Sequence, residues 1–247
     1  MHALVGGTLP PAWRAGWDRF SAALLDLIFP PRCAGCGAGG SLWCCTCQAS
    51  VHTIGDLVCS HCGRPLNSPS LDDLCAQCRQ SPPQIDGIRS AVAFEGPLRH
   101  AIHRLKYGGS ASLAGPLGMF LSAHWRACPL PADMIVPVPL HTSRVRERGY
   151  NQSVLLAEQL SRATGLPLAE GALKRVRATA PQITLSAAER KLNVRDAFQA
   201  SADAARGRQV LLVDDVCTTG ATLESCSIAL RRAGATSVWA LTLARAL

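Results

Sequence analysis

Long apolar runs are missing from the 247-residue sequence, although 48% of its residues are hydrophobic. No segment reaches the roughly 20 apolar residues that a membrane-spanning helix needs, so membrane insertion is not expected. We also expect no secretory leader, because Asp26 interrupts the apolar stretch 21–29 and no small-residue cleavage site follows it. We therefore expect a cytoplasmic protein whose apolar residues form one large core and a smaller module.

Acidic side chains are the scarcer charge, since 17 Asp and Glu stand against 25 Lys and Arg and leave a net charge of +8. Residues 33–80, which hold most of the cysteines, carry two Arg against three Asp. Residues 81–247 carry twenty basic against twelve acidic side chains, so the positive excess lies there. This distribution argues against electrostatic nucleic-acid binding by the cysteine-rich segment.

Cysteine is concentrated in that segment, which holds nine of the twelve. Eight of the nine form four Cys-x-x-Cys pairs: Cys33 and Cys36, Cys44 and Cys47, Cys59 and Cys62, Cys75 and Cys78. Each pair can place two thiolates on one metal ion, which predicts two tetrahedral zinc sites with four cysteine ligands each, most simply between consecutive pairs. The metal would supply the folding energy that so short a segment lacks. Disulfides and an iron–sulfur centre are the alternatives, and we interpret Cys45 and His61 as bystanders.

Two other features divide the chain. Residues 12–29 place aromatic and leucine side chains at spacings of three and four, which predicts an amphipathic helix that packs on its own protein. The Ser81-Pro82-Pro83 sequence is typical of a joint between modules. We expect an N-terminal helical segment, a double zinc ribbon and a larger domain, at 1–32, 33–80 and 84–247.

The most informative stretch of the larger domain is 210–223, V-L-L-V-D-D-V-C-T-T-G-A-T-L. Its four leading apolar residues predict a strand buried on both faces, and this strand ends in Asp214 and Asp215. A small polar loop then opens a helix, whose unpaired backbone N–H groups and dipole favour a phosphate. The two carboxylates cannot bind that phosphate, so they would serve a cation or a hydroxyl-rich group beside it.

An arginine-rich segment follows an earlier short strand, V-P-V-P-L. It reads H-T-S-R-V-R-E-R-G-Y-N-Q-S, and we expect it to be a loop that continues into a helix from Asn151. Arg144 and Arg148 carry the planar fork that suits phosphate oxygens, and Gly149 lets the backbone approach closely. The alternative is an ordinary solvated basic loop.

Two weaker candidates are also basic. Lys106 and Tyr107 lie in the last turn of a predicted helix that ends at Gly108 and Gly109, where they face either an anion or solvent. The long connection 173–198 contains six basic residues and a short predicted helix at 187–193. We interpret this connection as a lid that excludes water from a reaction centre. Strands and helices alternate from residue 133 onward, which predicts a doubly wound parallel α/β sheet with its ligand at the carboxyl ends of the strands.

Residues 210–223 resemble the phosphoribosyl-diphosphate (PRPP) signature of type I phosphoribosyltransferases. Together with the cysteine pairs, the V-P-V-P-L and R-x-R-G-Y-N-Q blocks and the R-x-T…L-x-x-x-E-R block, they make residues 24–245 similar to the ComF family. That family is associated with competence and joins a double zinc ribbon to a phosphoribosyltransferase domain. The resemblance implies glycosyl transfer from PRPP with Mg²⁺ and a link to DNA uptake. Departures from the family pattern are small: Tyr150 replaces Phe, and Cys217 replaces an aliphatic residue.

The resemblance also implies roles for individual residues. Asp214 and Asp215 would hold the ribose hydroxyls near the developing positive charge, and Arg144 and Arg148 would stabilise the departing diphosphate together with Mg²⁺. The 5′-phosphate would lie against Cys217, Thr218, Thr219, Gly220, Ala221 and Thr222. Arg177, Arg190 or Lys191 would close over the diphosphate. Lys106 remains a separate candidate for substrate binding, from its place at a helix end.

The acceptor is not evident from the sequence. His2 stands where a glutaminase would need cysteine, which disfavours a self-sufficient glutamine amidotransferase. One alternative function is a non-catalytic PRPP sensor that binds single-stranded DNA or recruits partners. A further alternative makes the zinc ribbons a docking module for a helicase-like competence protein.

Overall fold

The computed structural model describes residues 30–69, 72–177 and 196–247. The helices predicted at 12–29 and 187–193 lie outside these ranges. Within them, no helix is long and apolar enough to cross a membrane.

Eight α-helices and six β-strands are found among the described residues. The helices are α1 (Cys45–Ala49), α2 (Ala76–Gln80), α3 (Gly96–Tyr107), α4 (Ala114–Ala127), α5 (Thr142–Arg148), α6 (Gln152–Thr164), α7 (Ala202–Ala205) and α8 (Ala221–Arg232). The strands are β1 (Gly87–Ala93), β2 (Met134–Pro137), β3 (Leu173–Arg175), β4 (Phe198–Ala200), β5 (Gln209–Cys217) and β6 (Ser237–Arg245). Two short 3₁₀ helices occupy Ala111–Leu113 and Glu170–Ala172.

Four strands form a parallel sheet in the order β1-β6-β5-β2. The central strand β5 is the predicted V-L-L-V segment, and residues 210–213 have no exposed surface. In this register Asp214 lies beside Thr242 of β6, and Pro137 of β2 lies beside Val213. The carboxyl ends of these strands, and therefore the acidic pair, are at one edge of the sheet.

The sheet is covered on both faces. Leu211, Val213 and Leu241 belong to the core on one face, together with buried residues of α3, α4 and α6. Val210 and Leu212 belong to the core on the opposite face, with α8 and the β3–β4 pair. Alternate residues of one strand thus enter different cores, as expected for a strand buried on both sides. The predicted doubly wound α/β fold is confirmed.

The cysteine-rich segment packs along the free edge of β1. The backbone N–H of Ala93 donates to the carbonyl of His52 at 2.9 Å, and the N–H of Ile88 donates to the carbonyl of His61 at 2.7 Å. An edge strand otherwise presents unpaired backbone groups, so this segment completes the hydrogen bonding of β1.

Several elements differ from the prediction. The arginine-rich segment forms a seven-residue helix, α5, where a loop was expected. His141 caps its first turn by accepting the N–H of Ser143, and Gly149 ends it in the left-handed conformation with φ of 83°. The basic connection begins and ends in an antiparallel pair, β3 with β4. Strand β5 continues two residues beyond the predicted acidic end, to Cys217.

Candidate functional site

The eight paired cysteines form two clusters, each composed of two consecutive pairs. Within each cluster, the four sulfur atoms lie within 4.8 Å of one another. The Sγ atoms of Cys33 and Cys47 are 3.7 Å apart, as are those of Cys62 and Cys75. Tetrahedral zinc with bonds of about 2.3 Å requires sulfurs about 3.8 Å apart, so the donor sets fit zinc. The predicted pairing is confirmed. The two clusters are called the first cluster (33, 36, 44, 47) and the second cluster (59, 62, 75, 78).

The acidic pair lies near the carboxyl end of β5, where Asp215 is buried and Asp214 is partly buried. Asp215 is 3% exposed, and its Oδ1 is 2.9 Å from the Nζ of Lys106 at the end of α3. Asp214 accepts the hydroxyl of Ser153 at 2.8 Å and the backbone N–H of Asp215 at 2.9 Å, both at Oδ1. The pair is therefore held by α3 on one side and by the first turn of α6 on the other.

Burial and the neighbouring carboxylate of Asp215 raise the pKa of Asp214 to about 7, although the hydrogen bond from Ser153 and the charge of Lys106 oppose the rise. Burial alone would lower the pKa of Lys106, but the ion pair with Asp215 outweighs burial, and the pKa is raised. Lys106 is thus a permanent cation beside a carboxyl group that titrates near neutral pH.

Arg148, the last residue of α5, contacts Gln152 and Tyr107, which adjoin Ser153 and Lys106 in the sequence. Its Nη1 donates to the Oε1 of Gln152 at 2.7 Å, and its guanidinium lies 4.6 Å from the ring centre of Tyr107. Tyr107 directly follows Lys106, so the two cations lie on adjoining elements. Arg144 differs, since it forms an exposed ion pair with Glu147 at 3.0 Å within α5.

The polar loop that follows the acidic pair, residues 217–222, leads into α8 and is called the glycine loop. Gly220 is the N-cap of this helix with φ of 80°, a left-handed conformation that favours glycine. The hydroxyl of Thr219 accepts the N–H of Ala221 at 3.4 Å. Helix α8 therefore begins at Ala221, six residues after Asp215, and Thr222 is its second residue.

The structure therefore brings Lys106 and Ser153 onto Asp214 and Asp215, and residues 217–222 follow this pair in the chain. Arg148 contacts the sequence neighbours of Lys106 and Ser153. Of the basic residues predicted on the long connection, Arg177 is the last described residue before the gap. Arg190 and Lys191 lie outside the described residues.

Two contributors were missed by the sequence interpretation. Ser153 contacts Asp214 from the start of α6, and only the packing of that helix on β5 reveals it. Arg175 lies over the ring of Phe198 at 5.4 Å. Burial lowers the pKa of Arg175, and the charge of Asp214 opposes that shift. Arg175 was visible as part of the R-V-R sequence that begins at the end of β3, but its position near Asp214 depends on the β3–β4 pairing.

A parallel sheet that ends in an acidic pair and a glycine loop, joined to two four-cysteine clusters, defines a phosphoribosyltransferase-type domain with a zinc-ribbon module. Residues 24–79 match the double zinc ribbon domain, and residues 150–247 match the phosphoribosyl transferase domain.

Similar proteins extend this match over most of the chain. The DNA utilization protein YhgH of Salmonella typhi is 36% identical over 210 residues, which cover 83% of this chain and 90% of the relative. Competence protein F of Haemophilus influenzae is 34% identical over 211 residues, with 82% and 90% covered. One similar solved structure is the glutamine PRPP amidotransferase of B. subtilis complexed with ADP and GMP. It is 29% identical with a TM-score of 0.38, and the match covers 55% of this chain and 26% of that chain. The chain belongs to the ComF family.

Proposed function

We propose that this protein binds PRPP with Mg²⁺ and transfers its phosphoribosyl group to an acceptor with release of diphosphate. The observation that carries the proposal is the buried acidic pair placed directly before the glycine loop of α8. This arrangement offers neighbouring subsites for a ribose and for its 5′-phosphate.

The loop from Thr218 to Thr222 would hold the 5′-phosphate. Its backbone N–H groups lie at the positive end of a twelve-residue helix, and threonine hydroxyls can add donors. Gly220 forms the left-handed turn, with φ of 80°, from which α8 begins.

Asp214 and Asp215 would accept hydrogen bonds from the ribose hydroxyls. Their negative charge would also stabilise the positive charge that develops at the anomeric carbon as the diphosphate leaves. Ser153 fixes the orientation of Asp214, so this carboxylate needs little reorganisation during the reaction.

Arg148 and Lys106 would stabilise the departing diphosphate. Both side chains are already oriented. Gln152 and Tyr107 hold Arg148, and Asp215 holds Lys106. Carboxylate and phosphate oxygens are the ligands that Mg²⁺ prefers, and the ion would neutralise part of the diphosphate charge. We retain Arg144 and Arg177 as weaker candidates for donor contacts.

A non-catalytic role is the second candidate. Asp215 is already neutralised by Lys106 at 2.9 Å, so a bound donor must compete with an existing ion pair. Such a pocket would also suit a sensor that responds to PRPP without turning it over. The names of the relatives, which refer to DNA utilization and competence, support a place in DNA uptake for either activity.

Diphosphate release from PRPP, measured with a panel of nucleobases and amines, tests the catalytic proposal. We expect release in the wild type and none in the double variant Asp214→Asn, Asp215→Asn. The Arg162→Ala variant, altered on an exposed ion pair, should behave as the wild type. PRPP binding without release under any acceptor would favour the sensor, and salt-dependent binding of single-stranded DNA would then be measured on the same samples.

A further inference from the structure

Arg245, the last residue of β6, joins the second cluster to the glycine loop. Its side chain is buried, with the residue 1% exposed. Its Nη1 donates to the carbonyl oxygen of Cys62 at 2.7 Å and to the sulfur of Cys217 at 3.2 Å. Cys62 belongs to the second cluster, and Cys217 is the first residue of the glycine loop. A single guanidinium therefore contacts both.

Those two acceptors hold the arginine in place. A buried guanidinium is stable only where its donors are satisfied, and the Nε of Arg245 has no hydrogen-bond partner among the described residues. Cys217 is held a second time, because its carbonyl accepts the N–H of Ala246 at 3.0 Å. The start of the loop is thus fixed from both its side chain and its backbone by the end of β6.

The position of the Cys62 carbonyl depends in turn on the fold of the second cluster. The turn at 59–63 is closed by the N–H of Gly63 donating to the carbonyl of Cys59 at 2.9 Å, and Gly63 has φ of +67°. A Cβ at Gly63 would lie 2.2 Å from the carbonyl oxygen of Ile88, so this turn packs tightly on β1. The metal would keep the turn in this shape, since so short a segment has little other stabilisation.

A cavity lies between the second cluster and the loop. Its volume is about 160 Å³, and its lining includes Arg64, Ile88 and Gly220. The first cluster has different neighbours. Gly35 within it packs against Pro97, and its carbonyl contacts His100, both near the start of α3.

We propose that Arg245 couples the metal state of the second cluster to the geometry of the glycine loop. Loss of metal from the second cluster displaces the Cys62 carbonyl, releases Arg245 and loosens Cys217, which weakens donor binding. Metal at the first cluster has no such effect. This inference rests on the proposed PRPP site, and Arg245 acts in it as a positioning residue.

The chain offers a matched pair of variants, Cys44→Ser and Cys75→Ser. Each removes the third ligand of one cluster, and both cysteines are partly buried. We expect each variant to retain one zinc ion, measured by mass spectrometry under native conditions. Calorimetry with PRPP and Mg²⁺ should show affinity about tenfold or more weaker in Cys75→Ser, within the usual range for coupled sites, and unchanged in Cys44→Ser. Equal affinity in the two variants, whether both are normal or both are weakened, would overturn the proposal.

A second experiment uses the wild type, so its main result does not depend on whether a variant folds. Coupling is reciprocal for equilibrium affinities, so PRPP must raise the affinity of the protein for one zinc ion of the two, measured by competition with a chelator at equilibrium, and leave the other unaffected. Equal release of both ions with and without PRPP would contradict the coupling. The Arg245→Met variant should keep both zinc ions and lose this protection. A wild type that fails to bind PRPP at all would instead refute the proposed function.

Discussion

The ion pair between Lys106 and Asp215 provides the sharpest test of how the candidate site is built. The Nζ and Oδ1 atoms are 2.9 Å apart, and the side chains are 23% and 4% exposed. Lys106→Met keeps the length of the side chain and removes its charge, which leaves the Asp215 carboxylate buried and unpaired. Breaking a buried pair costs about 3–5 kcal/mol, and the partial exposure of Lys106 places the expected cost near about 3 kcal/mol.

Urea unfolding followed by circular dichroism in zinc-containing buffer measures this cost. The matched control is Arg162→Met, which breaks a pair with Glu158 whose side chains are 64% and 37% exposed. An exposed pair contributes less than about 1 kcal/mol, so this variant should be nearly as stable as the wild type.

The double variant Lys106→Met, Asp215→Asn completes a mutant cycle. Because it leaves neither charge unpaired, its cost should be lower than the sum of the two single costs by about 2 kcal/mol. Additive single costs, or a Lys106→Met variant no less stable than Arg162→Met, would refute the view that these two charges stabilise each other in the site.

Three other predictions concern the same site. Folding raises the pKa of Asp214 from 3.8 to about 7, so the protonated carboxyl group stabilises the folded state. This stabilisation is complete below about pH 4 and is lost as the pH rises through about 7. Asp214→Asn should remove this loss from thermal melts recorded across that range. Gly220→Ala should destabilise the protein by about 1–2 kcal/mol in urea unfolding and weaken PRPP binding, since φ is 80° and the new Cβ would lie 3.0 Å from Ile88; an unchanged midpoint would argue against the left-handed turn. Arg148→Ala should weaken PRPP binding in calorimetry more than Arg144→Ala does, and the reverse order would exchange their proposed roles.

Local patterns predicted the parts of the molecule that depend on neighbours in sequence. The buried run before Asp214 predicted β5, because a strand covered on both faces has no polar alternation. The repeated Cys-x-x-Cys spacing predicted both clusters, because two ligands from one turn reach one metal. The order of the acidic pair, the loop and the helix that begins after Gly220 was also predictable, because these residues are neighbours in the sequence.

Contacts between distant elements could not be read from the sequence. The partners of the acidic pair, Lys106 and Ser153, come from positions about 110 and 60 residues earlier in the chain. Arg245 shows no sequence signal, since its role depends on the parallel register of β6 beside β5. The closely spaced arginines at 144–148 favoured a loop over the helix α5, although Gly149 is also typical of a helix C-cap.

Calorimetric titration with PRPP and Mg²⁺ tests the donor site most directly. The wild type should bind one PRPP molecule per chain, and ribose 5-phosphate should compete for the same site because it shares the ribose and the 5′-phosphate. The variant Asp214→Asn, Asp215→Asn should lose most of this binding while keeping both zinc ions. Absence of PRPP binding to the zinc-loaded wild type, or full binding to the double variant, would contradict the assignment of the acidic pair and the glycine loop as a PRPP site.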